Sequence, residues 1–139
     1  MYTYQRKMNY YETDKMGIIH HSNYIRFLEE ARCKWLEDHH LPMEKIEEKG
    51  FTIPTLEVNC KYLSPVTSGD TILIKICMKE YDGIKMTIEY EIINVQSGKK
   101  VASAYTKHCF TNRALKPIQM KRYDGEVHEV FEKMKMDCE

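Results

Sequence analysis

The chain has 139 residues, with 21 Lys+Arg against 21 Asp+Glu and 42% hydrophobic residues. That length fits a single domain over 1–139 with a core of its own, and a net charge of zero is not the basic balance of a dedicated nucleic-acid binder. No apolar run approaches the roughly 18 residues of a membrane span, and residues 1–7 carry no apolar stretch behind their charges, so a cytoplasmic protein without a signal peptide is expected.

Residues 2–12 alternate, with Tyr4, Arg6, Met8 and Tyr10 on one side, which is the period of a strand. Over 22–39 the spacing turns helical, and Tyr24, Phe27, Leu28, Ala31, Trp35 and Leu36 form one apolar stripe. Ser22 or Asn23 is placed to cap its start, since either side chain can accept from an orphan N–H. His39 and His40 fall where a helix C-terminus favours a cation. Pro42 limits continuation, and a short helical turn is expected over 43–48, stopped by Gly50.

From residue 51 the period is two. Leu56, Val58, Cys60 and Tyr62 form one run, and Ile72, Ile74, Ile76 and Met78 the next. Ile84 to Ile92 and Ala102 to Phe110 continue the pattern. Ser64-Pro65, Ser68-Gly69-Asp70, Asp82-Gly83 and Ser97-Gly98 separate the runs as turns. Residues 124–135 return to helical spacing through Val127, Val130, Phe131 and Met134. The order predicts an α+β fold: a strand, a long helix, four strands in a meander and a short helix. One helix stripe and one sheet face must bury each other, so a curved antiparallel sheet wrapped around the 22–39 helix is expected.

The five cysteines, at 33, 60, 77, 109 and 138, are odd in number and show no CxxC spacing. Reduced thiols are expected, with neither a disulfide framework nor a zinc site. No metal or cofactor is expected.

The segment Asp14-Lys15-Met16-Gly17-Ile18-Ile19-His20-His21-Ser22-Asn23-Tyr24 joins the first strand to the long helix. It places a carboxylate, a glycine and two histidines before a helix N-terminus. Unpaired N–H groups and about half a positive charge gather there, and they can stabilise an oxyanion. An aspartate nearby can act as base or nucleophile. Taken alone, an aspartate in such a loop is ordinarily a turn former.

This segment resembles the signature of the 4-hydroxybenzoyl-CoA thioesterase family. The continuation Tyr24-Ile25-Arg26-Phe27-Leu28-Glu29-Glu30-Ala31-Arg32 resembles that family's helix, and Tyr62-Leu63-Ser64-Pro65 followed by Gly69-Asp70 resembles its strand-turn-strand. The resemblance covers about residues 4–112 and is nearest to the acyl-CoA thioesterases of the Tol-Pal-associated branch. It implies the hotdog fold, a five-stranded antiparallel sheet around a long central helix, and hydrolysis of an acyl-CoA to a free acid and CoA without a cofactor. Asp14 then matches the catalytic carboxylate, as general base on water or as nucleophile. His21 matches the position whose backbone N–H polarises the thioester carbonyl, and its imidazole matches the histidine of that branch. Gly17 keeps the loop compact, and Tyr24 packs or fixes it beside the substrate. The position before His21, usually aromatic in the family, is His20 here. The resemblance also implies a homodimer or homotetramer with sites at the subunit interface. A non-catalytic acyl-CoA-binding hotdog module is the alternative.

Residues 99–122 carry Lys99, Lys100, Lys107, Arg113, Lys116, Lys121 and Arg122 without an acidic residue. Asp124, Glu126, Glu129, Glu132, Asp137 and Glu139 follow. The basic run is either a solvated surface or an attractor for CoA phosphates.

Overall fold

The computed structural model describes residues 1–138; Glu139, the last acid of the tail, lies outside the described residues. The first strand, β1 (Tyr2–Lys7), ends earlier than the alternation suggested, because residues Tyr10–Glu12 close into a single 3-10 turn. Helix α1 (Asn23–Asp38) follows, then α2 (Met43–Lys49). Gly50 stops α2 in the left-handed region at φ 80°, a conformation that costs a side-chain-bearing residue energy. The remaining elements are β2 (Phe51–Thr52), β3 (Thr55–Tyr62), β4 (Thr71–Tyr81), β5 (Lys85–Asn94), β6 (Lys100–Cys109), β7 (Thr111–Asn112), α3 (Met120–Tyr123) and α4 (Gly125–Met136). Four helices are thus described where the sequence pattern suggested one long helix, a helical turn and one short C-terminal helix.

The main sheet is five-stranded and antiparallel, in the order β1-β4-β5-β6-β3. This corrects the expected four-strand meander. Only β4, β5 and β6 follow one another. After β3 the chain crosses to the opposite side of the sheet, where β4 pairs with β1, Tyr2 facing Ile76. Consecutive strands are neighbours only about two-thirds of the time, and Ser68-Gly69-Asp70 turns the chain onto β1 rather than back along β3. Strands β2 and β7 form a separate two-stranded ribbon.

The inward residues of the sheet are the alternating set expected. Ile72, Ile74, Ile76 and Met78 of β4 and Met86, Ile88, Tyr90 and Ile92 of β5 are buried in one cluster with Tyr24, Phe27, Leu28, Ala31 and Trp35 of α1. Each large apolar side chain so buried stabilises by about 1.5–3 kcal/mol before entropy is counted. Helix α4 adds Val127, Phe131 and Met134, with the Phe131 ring 4.8 Å from that of Phe110.

Strand β3 departs from its pattern. Leu56, Val58 and Tyr62 are exposed, and of the apolar set only Cys60 is half-buried. The cause is position: β3 is an edge that pairs with β6 alone, so nothing among the described residues covers its far side.

The cysteines also differ from expectation. The structure joins Cys77 of β4 to Cys138, just beyond α4, as a disulfide pair with Cα atoms 5.5 Å apart, a separation disulfides span. The two positions lie 61 residues apart, and packing of α4 on β4 brings them together. No spacing rule in the sequence could reveal that. Cys33, Cys60 and Cys109 are free. No helix among the described residues is long and apolar enough to cross a membrane.

Candidate active site

The loop between β1 and α1 is held by a buried ion pair. Arg6 lies on the inward face of β1 and reaches Glu12 with Nη1 and Nη2, both at 2.7 Å. Its Nε donates to Glu30 of α1, also at 2.7 Å, and its guanidinium lies 4.3 Å from the centre of the Phe27 ring. Glu12 also accepts from the Asn9 N–H. Burial alone would raise the Glu12 pKa, but these hydrogen bonds outweigh it and hold the carboxyl below its ordinary value. The Glu12 carbonyl receives the His20 N–H and the Asn23 side-chain amide, each at 2.9 Å. One residue thereby fixes both ends of the loop.

Within that frame Asp14 forms an Asx turn. Its Oδ1 accepts from the Met16 N–H at 2.8 Å, and its N–H donates to the Ile18 carbonyl at 2.8 Å. Gly17 closes the turn at φ +79° and donates to the Asp14 carbonyl. A Cβ there would meet nothing within 4 Å, so the backbone conformation, rather than lack of space, calls for glycine.

The helix start is not capped as expected. Ser22 has helical dihedrals and makes no side-chain cap. Its hydroxyl lies 2.8 Å from Nδ1 of His20, and its N–H donates to the same nitrogen. Asn23 is turned back onto Glu12. His20 therefore acts as a local acceptor for the turn. The His21 imidazole is exposed and stacks on His20, ring centres 4.3 Å apart, and its backbone N–H makes no hydrogen bond among the described residues.

Asp14, His21 and Tyr24 line one open cleft, together with Met16, Tyr62 and Pro65. Gly17 shapes the turn behind Asp14 and is not part of this lining. Tyr24 is buried, its ring edge-on to Tyr62 at 5.1 Å. Burial first, then the neighbouring Cys60 and Tyr62, push its pKa up to about 12. The Tyr62 hydroxyl donates to the His21 carbonyl at 3.1 Å, which ties the end of β3 to the helix start. Carboxylate, free N–H and helix N-terminus thus share one solvent-open surface, a set able to activate water and stabilise an oxyanion. Among the described residues no group of three metal-ligating side chains converges.

Three residues of this frame, Arg6, Glu12 and Tyr62, were given no role at the site from sequence. Arg6 carried a signal, a charge on the apolar side of a strand period. Glu12 and Tyr62 carried none by spacing, because their partners are tertiary. The basic run 99–122 is distributed over β6, the following loop and α3. Lys107 lies over the Tyr105 ring, and Arg113 donates to the Glu47 carbonyl.

Comparison with known proteins agrees with this architecture. The Bacillus subtilis protein YneP is 29% identical over 129 residues, which cover 93% of this chain and 94% of YneP. A 1,4-dihydroxy-2-naphthoyl-CoA hydrolase of Synechocystis is 26% identical over 108 residues, 77% of this chain and 78% of that protein. The crystal structure of a DHNA-CoA thioesterase from Staphylococcus aureus superposes with a TM-score of 0.89 at 26% identity, covering 96% of this chain and 90% of that one. The family profile described as the thioesterase-like superfamily matches residues 8–131, and the chain belongs to that superfamily, whose members here share the hotdog fold.

Proposed function

We propose that this protein hydrolyses an acyl-CoA thioester to a free carboxylic acid and CoA. The observation that carries the reading is the cleft shared by Asp14 and the unengaged N–H of His21 at the start of α1. The thioester carbonyl oxygen sits at that N–H, where the helix N-terminus adds partial positive charge. Asp14 either takes a proton from water as it attacks the carbonyl carbon or attacks that carbon itself. In both routes the negative charge moves onto the carbonyl oxygen, and its collapse expels CoA thiolate; after direct attack by Asp14, water then hydrolyses the resulting anhydride to release the free acid and restore the carboxylate. One such oxyanion donor is worth roughly 3–4 kcal/mol.

The imidazole of His21, rather than that of His20, faces the substrate, because Nδ1 of His20 is engaged by Ser22. Tyr24 backs the cleft, and Gly17 sets the turn that presents Asp14. The motif register places the chain nearest to the 4-hydroxybenzoyl-CoA thioesterase family and its Tol-Pal-associated branch. The enzyme works in the cytoplasm as one domain over 1–139 that assembles into a homodimer or homotetramer. The uncovered edge of β3 supports assembly, since proteins ordinarily pair or cover such edges. The test is release of free thiol from a panel of acyl-CoAs. Turnover that depends on Asp14 is expected, and binding of acyl-CoA without thiol release would overturn the reading.

A further inference from the structure

Helix α4 is held to the sheet in two ways. Val127, Phe131 and Met134 bury one face of it in the core. Cys138 follows its last turn and is joined, sulfur to sulfur, to Cys77 of β4. The other three cysteines are free, so this bond stands apart from any disulfide framework.

Strand order explains how a cysteine comes to sit there. Strand β1 pairs with β4 only as far as Tyr2, which faces Ile76. Two residues on, the Met78 N–H lies past the start of β1 and donates to Sγ of Cys138 at 2.9 Å. The sulfur thus takes the place that a carbonyl of a neighbouring strand would hold. Alternation along β4 buries Ile76 and Met78, while Cys77 falls on the opposite, outer face and is half-buried. Cys138 is half-buried too. Cys77 borders a solvent-open hollow of about 460 Å³ on that outer face, together with Lys75, Glu89 and Tyr105. A small thiol or a peroxide can therefore reach the bond while the sheet stays folded.

The bond is also not what docks the helix. The buried face of α4 keeps it on the sheet when the bond is open, so the two thiols stay adjacent and can close again. The Met78 N–H gives a Cys138 thiolate a charge-assisted hydrogen bond, and the thiolate is the form that attacks a peroxide or a disulfide.

We propose that Cys77 and Cys138 form a reversible thiol–disulfide latch on α4, opened by small thiols and closed by peroxide. In closing, the Cys138 thiolate attacks one peroxide oxygen. An S–O bond forms, the O–O bond breaks, and the departing hydroxide leaves as water. The Cys77 thiolate then attacks Sγ of Cys138. The S–S bond forms, the S–O bond breaks, and a second water leaves. Two electrons pass from the sulfurs to the peroxide, and the two thiol protons end in the waters. In opening, a small-molecule thiolate attacks one sulfur and the S–S bond breaks. A second one takes the mixed disulfide, so both cysteines return to thiols and the two small molecules leave joined. Closed, the latch pins the end of α4 to β4. Open, it lets the last turns fray, while the core face stays docked.

This inference does not depend on the thioesterase reading, and its test uses no turnover. The unaltered protein is treated with millimolar reduced glutathione, then with stoichiometric hydrogen peroxide, then with glutathione again. Each form is digested without reduction and mapped by mass spectrometry. A linked Cys77–Cys138 peptide is expected after peroxide and is expected to vanish in glutathione both times. Amide hydrogen exchange over α4 should run about tenfold faster in the reduced form, with β5 and β6 unchanged. Cys138→Ser and Cys77→Ser should exchange like the reduced protein under both conditions. The comparison of the unaltered protein in its two states stands even where a variant fails to fold. Absence of the linked peptide after peroxide, a linked peptide that persists through glutathione, or equal exchange of α4 in the two states overturns the proposal.

Discussion

Arg6 holds Glu12 through two parallel hydrogen bonds, Nη1 to Oε1 and Nη2 to Oε2. The pair is nearly closed to water, with the Glu12 side chain 6% exposed and Arg6 15%. The same glutamate carries, on its backbone carbonyl, both His20 and Asn23. A charge pair on the last inward position of a strand thus sets the loop that holds Asp14 and delivers the chain to α1. Removing Arg6 leaves Glu12 without its match, and removing Glu12 leaves Arg6 with Glu30 alone; breaking a buried pair in this way costs more than the pair itself gains.

Glu12→Gln should therefore destabilise the fold. Arg6 keeps Glu30, so the cost falls at the low end of the range for breaking a buried pair, about 3 kcal/mol, or roughly 10 °C in Tm. The pH dependence follows from the lowered carboxyl pKa. A carboxyl depressed in the folded state stabilises fully above the ordinary glutamate value of about 4.3, and that stability is lost as pH falls through the lowered one. Thermal melts from pH 7 to pH 3 should show a steep decline in the unaltered protein and a shallower one in Glu12→Gln. Parallel curves would remove Glu12 from the account.

Asp14→Asn should keep the fold, since an asparagine Oδ1 can still accept from Met16 and preserve the turn. It removes the base or nucleophile, so kcat should fall by about 10²–10⁴ with Tm nearly unchanged. Thiol-release assays and melting on the same preparation check this. Turnover within a few-fold of normal in a folded variant contradicts the role given to Asp14.

The parts of the fold legible in sequence were those carried by local period. The stripe Tyr24 to Trp35 and the alternation over β4 and β5 are buried as their spacing implies. What the period could not show is which strands are neighbours. The alternation in β3 is as regular as that in β4, yet Leu56 and Val58 are exposed, because strand order is settled by tertiary packing. The Cys77–Cys138 pair and the Tyr62–His21 contact were hidden for the same reason. At the site, the Asp14 to Tyr24 segment was legible through its resemblance to a family signature. The partners that hold it, Arg6 of β1 and Glu12 of the 3-10 turn, form an ion pair six residues apart that no signature marks.

His21→Ala should cost less than Asp14→Asn, about tenfold or less in kcat, because the backbone N–H survives the substitution. Tyr62→Phe removes the hydroxyl bond to the His21 carbonyl. Such a bond is worth about 0.5–1.5 kcal/mol, so a two- to tenfold loss in kcat is expected, with Tm little changed at this half-exposed position. A loss of 10²-fold or more in His21→Ala would mean that the imidazole, not the N–H, carries the chemistry.

The edge of β3 supplies the last test. Leu56 is 54% exposed and Val58 37% on a strand whose outer side has no partner among the described residues. A strand edge of eight residues with apolar side chains invites pairing with another copy. The unaltered protein should sediment as a dimer or tetramer at micromolar concentration. Val58→Lys places a charge near the centre of the edge, where two-fold pairing sets it beside its own copy, and like charges directly opposite destabilise a strand pair. The variant should shift towards monomer and lose activity in proportion, with its helical circular dichroism intact. If it becomes monomeric and stays fully active, each site is complete within one chain. If the unaltered protein is itself a monomer, the edge is not an assembly surface.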